Sequence, residues 1–251
     1  MRTIAVIQAR MGSKRVPGKI LDDIEGRPLI FWAINAMRAV PGLDDLVIAT
    51  TDEPADDPFA ERMAAAGVRV HRGSTYDVLR RVADAVRPLR PDVVVRQTAD
   101  NPFPDPDVMG AQVRRLVDGE FDYVGIAGLP IGIGAEAVRL AALETADAEA
   151  TDVAEREHVL PFLYTRPDRF RIGTLVPPPP WRHPRYTVDT DEDMAFAQAI
   201  AARLGARQQP VRLAELEAIV AAEPDLAELN RDVVQRHHRT AELRPAASEA
   251  G

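Results

Sequence analysis

The chain has 251 residues, 46% of them hydrophobic, a formal net charge of −8 and no cysteine. The missing thiols exclude disulfides, thiolate metal sites and cysteine nucleophiles, which suits a reducing cytoplasm, and any metal must sit on oxygen or imidazole. An acidic balance argues against nucleic acid as partner, and no apolar run approaches the roughly 20 residues that cross a bilayer.

The first apolar run, residues 3–8, is too brief for a secretory leader and reads as a strand. It is followed by a loop over residues 9–19 and a helix over 28–40, a β-loop-α unit. A strand over 45–50 ends in Thr51, Asp52, Glu53 and Pro54 before a helix over 59–66. A short strand over 68–71, a helix over 77–86 and an almost wholly apolar strand over 93–97 continue the alternation. So do a helix over 107–116 and a strand over 123–126. The order predicts an α/β fold, a mainly parallel Rossmann-like sheet with helices on both faces. Residues 128–172 are less regular, and the prolines of 177–180 suggest an extended spacer. Helices are expected over 194–204, 211–222 and 225–237, then a disordered tail. One domain is expected over 1–240, with the tail at 241–251.

Ligands of such sheets bind at the carboxyl ends of the strands. The loop after the first strand places Arg10, Lys14, Arg15 and Lys19 within ten residues, around Gly12 and Ser13. Backbone N–H groups at Gly12 and Ser13 can meet phosphate oxygens, while Arg10, Arg15 and Lys19 can neutralise a triphosphate. A solvated basic loop has the same composition, but its position favours an anion. Neither the paired glycines of a dinucleotide fold nor the Gly-Lys-Ser/Thr ending of a P-loop is present.

Asp100 stands at the end of the fourth strand, level with this loop. A second acidic cluster, Asp189, Asp191, Glu192 and Asp193, follows a short strand and opens a helix. Asp191, Glu192 and Asp193 suit a helix start, which Thr190 or Asp191 would cap. Asp189 precedes the cap and, with Asp100, could hold Mg²⁺, which needs few carboxylates beside water and phosphate.

The run Ile7-Gln8-Ala9-Arg10-Met11-Gly12-Ser13 with Arg15, Pro17, Gly18 and Lys19 resembles the opening of cytidylyltransferases of the spore-coat polysaccharide type, relatives of CMP-Kdo and CMP-sialate synthetases. Arg96-Gln97-Thr98-Ala99-Asp100 and Tyr186-Thr187-Val188-Asp189-Thr190 resemble that family's two metal-binding motifs. The resemblance implies the nucleotide-diphospho-sugar transferase fold and Mg²⁺ on Asp100 and Asp189. It implies nucleotide contacts from Ala9, Arg10, Gly12, Ser13, Lys19, Thr50, Thr51, Asp52, Arg72, Ser74 and Thr98. It assigns the catalytic set to Arg10, Arg15, Lys19, Asp100 and Asp189. Glu136 matches an acidic position that meets the acceptor, and His158, a second acceptor candidate, lies in a segment, within 128–172, that forms the dimer contact and closes over a neighbouring site. Two departures stand out: Ala99 replaces a common glycine, and an aspartate usual near Gly134 is missing.

The implied activity is transfer of CMP from CTP to a small anionic acceptor, a keto-sugar acid or phosphonate, with release of pyrophosphate. The acceptor oxygen would attack the α-phosphorus in line. Two alternatives remain open at this stage. A nucleotide-sugar glycosyltransferase would use Asp189-Thr190-Asp191 as its metal motif, and a non-catalytic nucleotide-binding protein would not bring the two aspartates together.

Overall fold

Ile4, Ala5, Val6 and Ile7 are fully buried, as are Val93, Val94 and Val95. Runs apolar on every residue belong in strands covered on both faces. The computed structural model describes residues 1–12, 16–177, 181–205, 207 and 209–234. Ser13, Lys14 and Arg15 of the basic loop, prolines 178–180 and the tail lie outside them.

The elements run β1 (Thr3–Gln8), the small β2 (Asp23–Ile24) and β3 (Arg27–Pro28), α1 (Leu29–Arg38), β4 (Asp45–Thr51), α2 (Asp57–Ala65) and β5 (Arg69–Gly73). They continue through α3 (Val78–Val86), β6 (Val93–Thr98), α4 (Pro106–Asp118), β7 (Tyr123–Ile126), β8 (Glu136–Arg139) and α5 (Leu140–Glu149). The last are α6 (Val153–His158), α7 (Pro161–Tyr164), β9 (Ile172–Leu175), α8 (Asp191–Leu204) and α9 (Leu213–Ala222). Among the described residues a seven-stranded sheet has the order β5-β4-β1-β6-β8-β7-β9. It is parallel except for β8, which is antiparallel to β6 and β7.

Alternate residues of the strands feed two cores. Ala5, Ile7, Ile48, Val93 and Val95 pack with Ile30, Ile34, Phe59 and Met109 of α1, α2 and α4. Ile4, Val6, Val47, Ala49 and Val94 pack with Leu79, Val82, Leu143 and Phe162 of α3, α5 and α7. A third cluster joins Trp32, Phe103 and Tyr186 to α8 and α9.

Three expectations need correction. The middle region holds β8 and α5, so it is more regular than its composition suggests. The helix expected over 225–237 is, where described, a 3-10 turn at Pro224–Asn230, opened by a proline. No strand precedes Asp189 among the described residues. An isolated parallel bridge, Ile131 with Arg185, joins that segment to the sheet side, together with backbone bonds from Tyr186 N to Ile131 O (2.7 Å) and from Ile131 N to Pro184 O (2.9 Å).

Candidate active site

β1 and β6 are neighbours with Gln8 opposite Thr98, so the basic loop and the segment 98–101 leave the sheet side by side. The amide of Ala99 donates to Gln8 O at 3.0 Å. Asn101 closes the turn, its Nδ2 bonding Gln97 Oε1 at 2.7 Å and Thr98 Oγ1 at 3.0 Å. Thr98 Oγ1 in turn donates to Asp100 Oδ1 at 2.6 Å, which turns that carboxylate toward the loop. The methyl of Ala99 is buried within this turn.

Asp189 arrives from far along the chain, yet the amide of Val188 donates to Asp100 O at 2.9 Å. The two acids therefore meet. Lys19 Nζ lies 3.2 Å from Asp100 Oδ2 and 3.5 Å from Asp189 Oδ1, and donates to Val188 O at 2.5 Å. Its side chain is only 9% exposed, against 28% for Asp100 and 15% for Asp189. Both acids thus retain an edge toward solvent, while the ammonium is their internal counter-ion. A point that already holds a cation between two carboxylates has the donor set and the potential that a hard divalent ion requires. Among the described residues no cluster of three or more acidic, histidine or cysteine side chains suits a metal. The remaining ligands would have to be phosphate oxygens and water.

A salt-bridged array stands behind Asp189. Arg185 Nη2 donates to Asp189 Oδ2 at 2.9 Å, and Arg185 Nε to Asp193 Oδ1 at 2.8 Å. Asp193, buried, also caps α8: Thr190 Oγ1 accepts from its amide at 3.3 Å and the Thr190 amide donates back to Asp193 Oδ2 at 3.2 Å. Asp191 is the exposed first residue of α8, so an Asp-x-Asp pair formed with Asp189 finds no support in the geometry.

The cationic side of the cleft is represented by Arg10, which is exposed and makes no hydrogen bond or ion pair among the described residues. Gly12 is exposed, with open space where a side chain would stand, whereas Ala9 is buried and its amide donates to Ala49 O at 3.1 Å. Ser13 and Arg15 lie outside the described residues.

Several side chains assigned to the nucleotide have other work. Thr50 Oγ1 and Thr51 Oγ1 donate to Asp56 Oδ2 at 2.9 and 2.5 Å, and the Met11 amide donates to Asp56 Oδ1 at 2.8 Å. Both hydroxyls therefore help brace the basic loop against β4 through a buried carboxylate. Arg72 Nε donates to Thr51 O and its Nη2 to Glu53 O, each at 3.0 Å. An ion pair with Asp57 at 2.5 Å adds to the clamp over residues 51–57. Ser74 Oγ accepts from the Asp77 amide at 3.0 Å in the turn before α3. Asp52 keeps an exposed carboxylate, its amide held by Gly73 O at 2.9 Å.

Toward the opposite flank, Arg96 lies across from Glu136 in the β6–β8 ladder. Arg96 donates to Glu136 Oε2 and, through Nε, to Gln8 Oε1 at 2.9 Å. Tyr123 OH donates to Glu136 Oε1 at 2.9 Å. Burial, then the charge and hydrogen bond of Glu136, push the Tyr123 hydroxyl well above its usual pKa, so it remains a donor. Glu136 is thus a fixed acceptor on the sheet face. Arg81 of α3 is buried, with its Nε unpaired and one Nη donating to Ser74 O. Burial first, then the positive charge of Arg10, lowers the Arg81 pKa to about 10, and Asp56 and Asp52 oppose that shift.

His158, half-buried, ends α6. Val159 next to it has φ 79°, and the Leu160 amide donates to His158 O at 3.1 Å, a tight three-residue turn of the rare positive-φ kind. Arg156 fastens α6 to Asp77 at the start of α3 (2.9 Å through Nε) and to Asp147 (3.0 Å).

Comparison with known proteins gives this geometry its context. A family model described as cytidylyltransferase matches residues 4–235. The chain belongs to the cytidylyltransferase family. It is 34% identical over 229 residues to the spore coat polysaccharide biosynthesis protein SpsF of Bacillus subtilis, covering 88% of this chain and 95% of that protein. It is 38% identical over 122 residues to a 3-deoxy-manno-octulosonate cytidylyltransferase of Anaeromyxobacter sp. strain Fw109-5, about half of each chain (47% and 49%). The solved structure of a cytidylyltransferase from Leptospira borgpetersenii superposes with a TM-score of 0.83 at 24% identity, covering 94% of this chain and 100% of that one. The fold is the Rossmann-like one of the nucleotide-sugar transferases, and the chain is a CTP-using nucleotidyltransferase. No helix among the described residues is long and apolar enough to cross a membrane.

Sequence reasoning passed over Asp56 and Arg185 and treated Asp193 as a helix cap alone. The capping box of Thr190 and Asp193 was visible as Thr-x-x-Asp, but nothing local says that the same carboxylate also holds Arg185.

Proposed function

We propose that this cytidylyltransferase uses Mg²⁺ to transfer CMP from CTP to a small anionic acceptor, a keto-sugar acid or phosphonate, and releases pyrophosphate. The observation that carries the reading is the meeting of Asp100 and Asp189 on one cation, Lys19 of the basic loop. Asp100 and Asp189 would hold the metal, which supplies charge neutralisation on the phosphate oxygens. Arg10, with Arg15, stabilises the triphosphate, and Gly12 offers backbone N–H without side-chain obstruction. Lys19, tethered between the acids and the loop, can follow the charge that develops on the departing pyrophosphate. Positioning supplies most of the catalysis in such transfers, and no covalent intermediate is required.

Glu136, held by Arg96 and Tyr123, is the acceptor contact at the far side of the cleft. The names of SpsF and the 3-deoxy-manno-octulosonate enzyme favour a sugar acid among the anionic acceptors. We further read the protein as a cytoplasmic homodimer whose contact includes α6, where Val153 is 79% exposed.

The test is incubation with CTP, Mg²⁺ and a panel of 2-keto sugar acids and phosphonates while pyrophosphate is followed. Turnover with one acceptor class is expected, and Asp100→Ala should abolish it. Pyrophosphate from none of the panel, or undiminished turnover in Asp100→Ala, would refute the assignment.

A further inference from the structure

Asp193 receives more donors than a helix cap needs. Its Oδ2 accepts from the amides of Asp189 (2.9 Å) and Thr190 (3.2 Å) and from Arg185 Nη2 (2.8 Å). Its Oδ1 accepts from Arg185 Nε (2.8 Å) and from Asn230 Nδ2 (2.9 Å). The side chain has no solvent exposure and Arg185 only 4%, so these bonds act where water does not compete. The carboxylate thus fixes both the backbone at Asp189 and the guanidinium that grips Asp189 Oδ2.

Asn230 ends the 3-10 turn Pro224–Asn230 and is buried. Its Nδ2 donates to Asp193, and its side chain also faces the buried His183.

We propose that Asp193 and Asn230 are positioning residues for Asp189, and that through them the C-terminal turn sets how tightly the site holds a divalent cation. The inference rests on the reading of Asp100 and Asp189 as metal ligands. Outer partners of metal-binding groups commonly change metal affinity by 10- to 100-fold when removed, because they fix ligand orientation.

The experiment uses the full chain and the variants Asn230→Leu and Asp193→Asn. Each is titrated with Mn²⁺ at saturating CTP, and water-proton relaxation enhancement reports the ternary complex without turnover. Melting temperature is recorded in parallel. Asn230→Leu should weaken Mn²⁺ binding about tenfold beyond any change in melting temperature, and excess Mg²⁺ should restore its turnover. Asp193→Asn should weaken binding at least as much. Unchanged Mn²⁺ affinity in Asn230→Leu, or a fall in melting temperature alone, would overturn the positioning role while leaving the metal site standing. No enhancement with the unsubstituted protein would remove both.

Discussion

Asp56 offers the sharpest test of how the nucleotide end of the site is held. It is buried, and one carboxylate oxygen accepts from Thr50 Oγ1, Thr51 Oγ1 and the Thr51 amide (2.9, 2.5 and 3.1 Å) while the other accepts from the Met11 amide at 2.8 Å. In Asp56→Asn the amide oxygen can serve the group of three, but the NH₂ then faces the Met11 N–H. One orphaned backbone donor costs about 1–3 kcal/mol, and three charge-assisted bonds become neutral ones at roughly half their strength. Together these place the loss at about 3–5 kcal/mol. Urea unfolding at pH 7 measures it, and a loss below about 1 kcal/mol would refute the reasoning. The Km for CTP should also rise, since Met11 belongs to the basic loop.

The same residue carries a pH signature. Burial by itself would raise the Asp56 pKa, but the hydrogen bonds from Thr51, Met11 and Thr50 outweigh it and hold the group below 3.8. A carboxyl depressed in the folded state contributes stability above its unfolded pKa and loses that contribution as pH falls through the folded one. The gap between the natural protein and Asp56→Asn should therefore be constant at neutral pH and narrow once pH drops below 3.8.

Lys19→Met should lower CTP turnover by about 10²-fold or more, and without the internal cation Asp100 and Asp189 should take up Mn²⁺ more tightly in the absence of nucleotide, read by the free-ion EPR signal. Gly132→Ala should destabilise the chain by about 1–3 kcal/mol in thermal unfolding, since Gly132 has φ 94° and an added Cβ would stand 2.8 Å from Tyr186 C and 2.9 Å from Thr187 N. Pyrophosphate release should fall with it, because the strain lands on the segment leading to Asp189. Burial holds the His183 pKa below 6.5, so its contribution to stability is full above 6.5 and declines as pH falls. His183→Phe should flatten the melting-temperature profile on the acid side of that value, and an unchanged acid limb would count against it.

The alternation of apolar runs and turn clusters carried β1, β4, β6 and β7 in the sequence, because strands buried on both faces leave an unbroken apolar signal, while β5, a polar edge strand, was legible only from its place in the alternation. β8 and α5 left none that local pattern could separate: β8 is four residues long after a glycine-rich stretch, and α5 is rich in alanine. Asp100 and the basic loop could be read from their place at strand ends. The meeting of Asp189 with Asp100 came from family resemblance, since nothing within either motif encodes a contact across 89 residues of chain. The family resemblance assigns Thr50, Thr51 and Arg72 to the nucleotide, and their place after two successive strands suits a base pocket. That the two threonine hydroxyls also donate to Asp56 in the following turn is a contact local sequence does not encode.

The hydrogen bond from Val188 N to Asp100 O has a consequence for how such enzymes can diversify. It fixes the backbone spacing of the two acids, at a seam where two remote stretches touch. The flank that bears Glu136 and the helix ending at His158 lie outside that seam and can be reshaped for a new acceptor while the backbone spacing of the two acids is kept. Acceptor choice and the phosphate chemistry are thereby free to change separately.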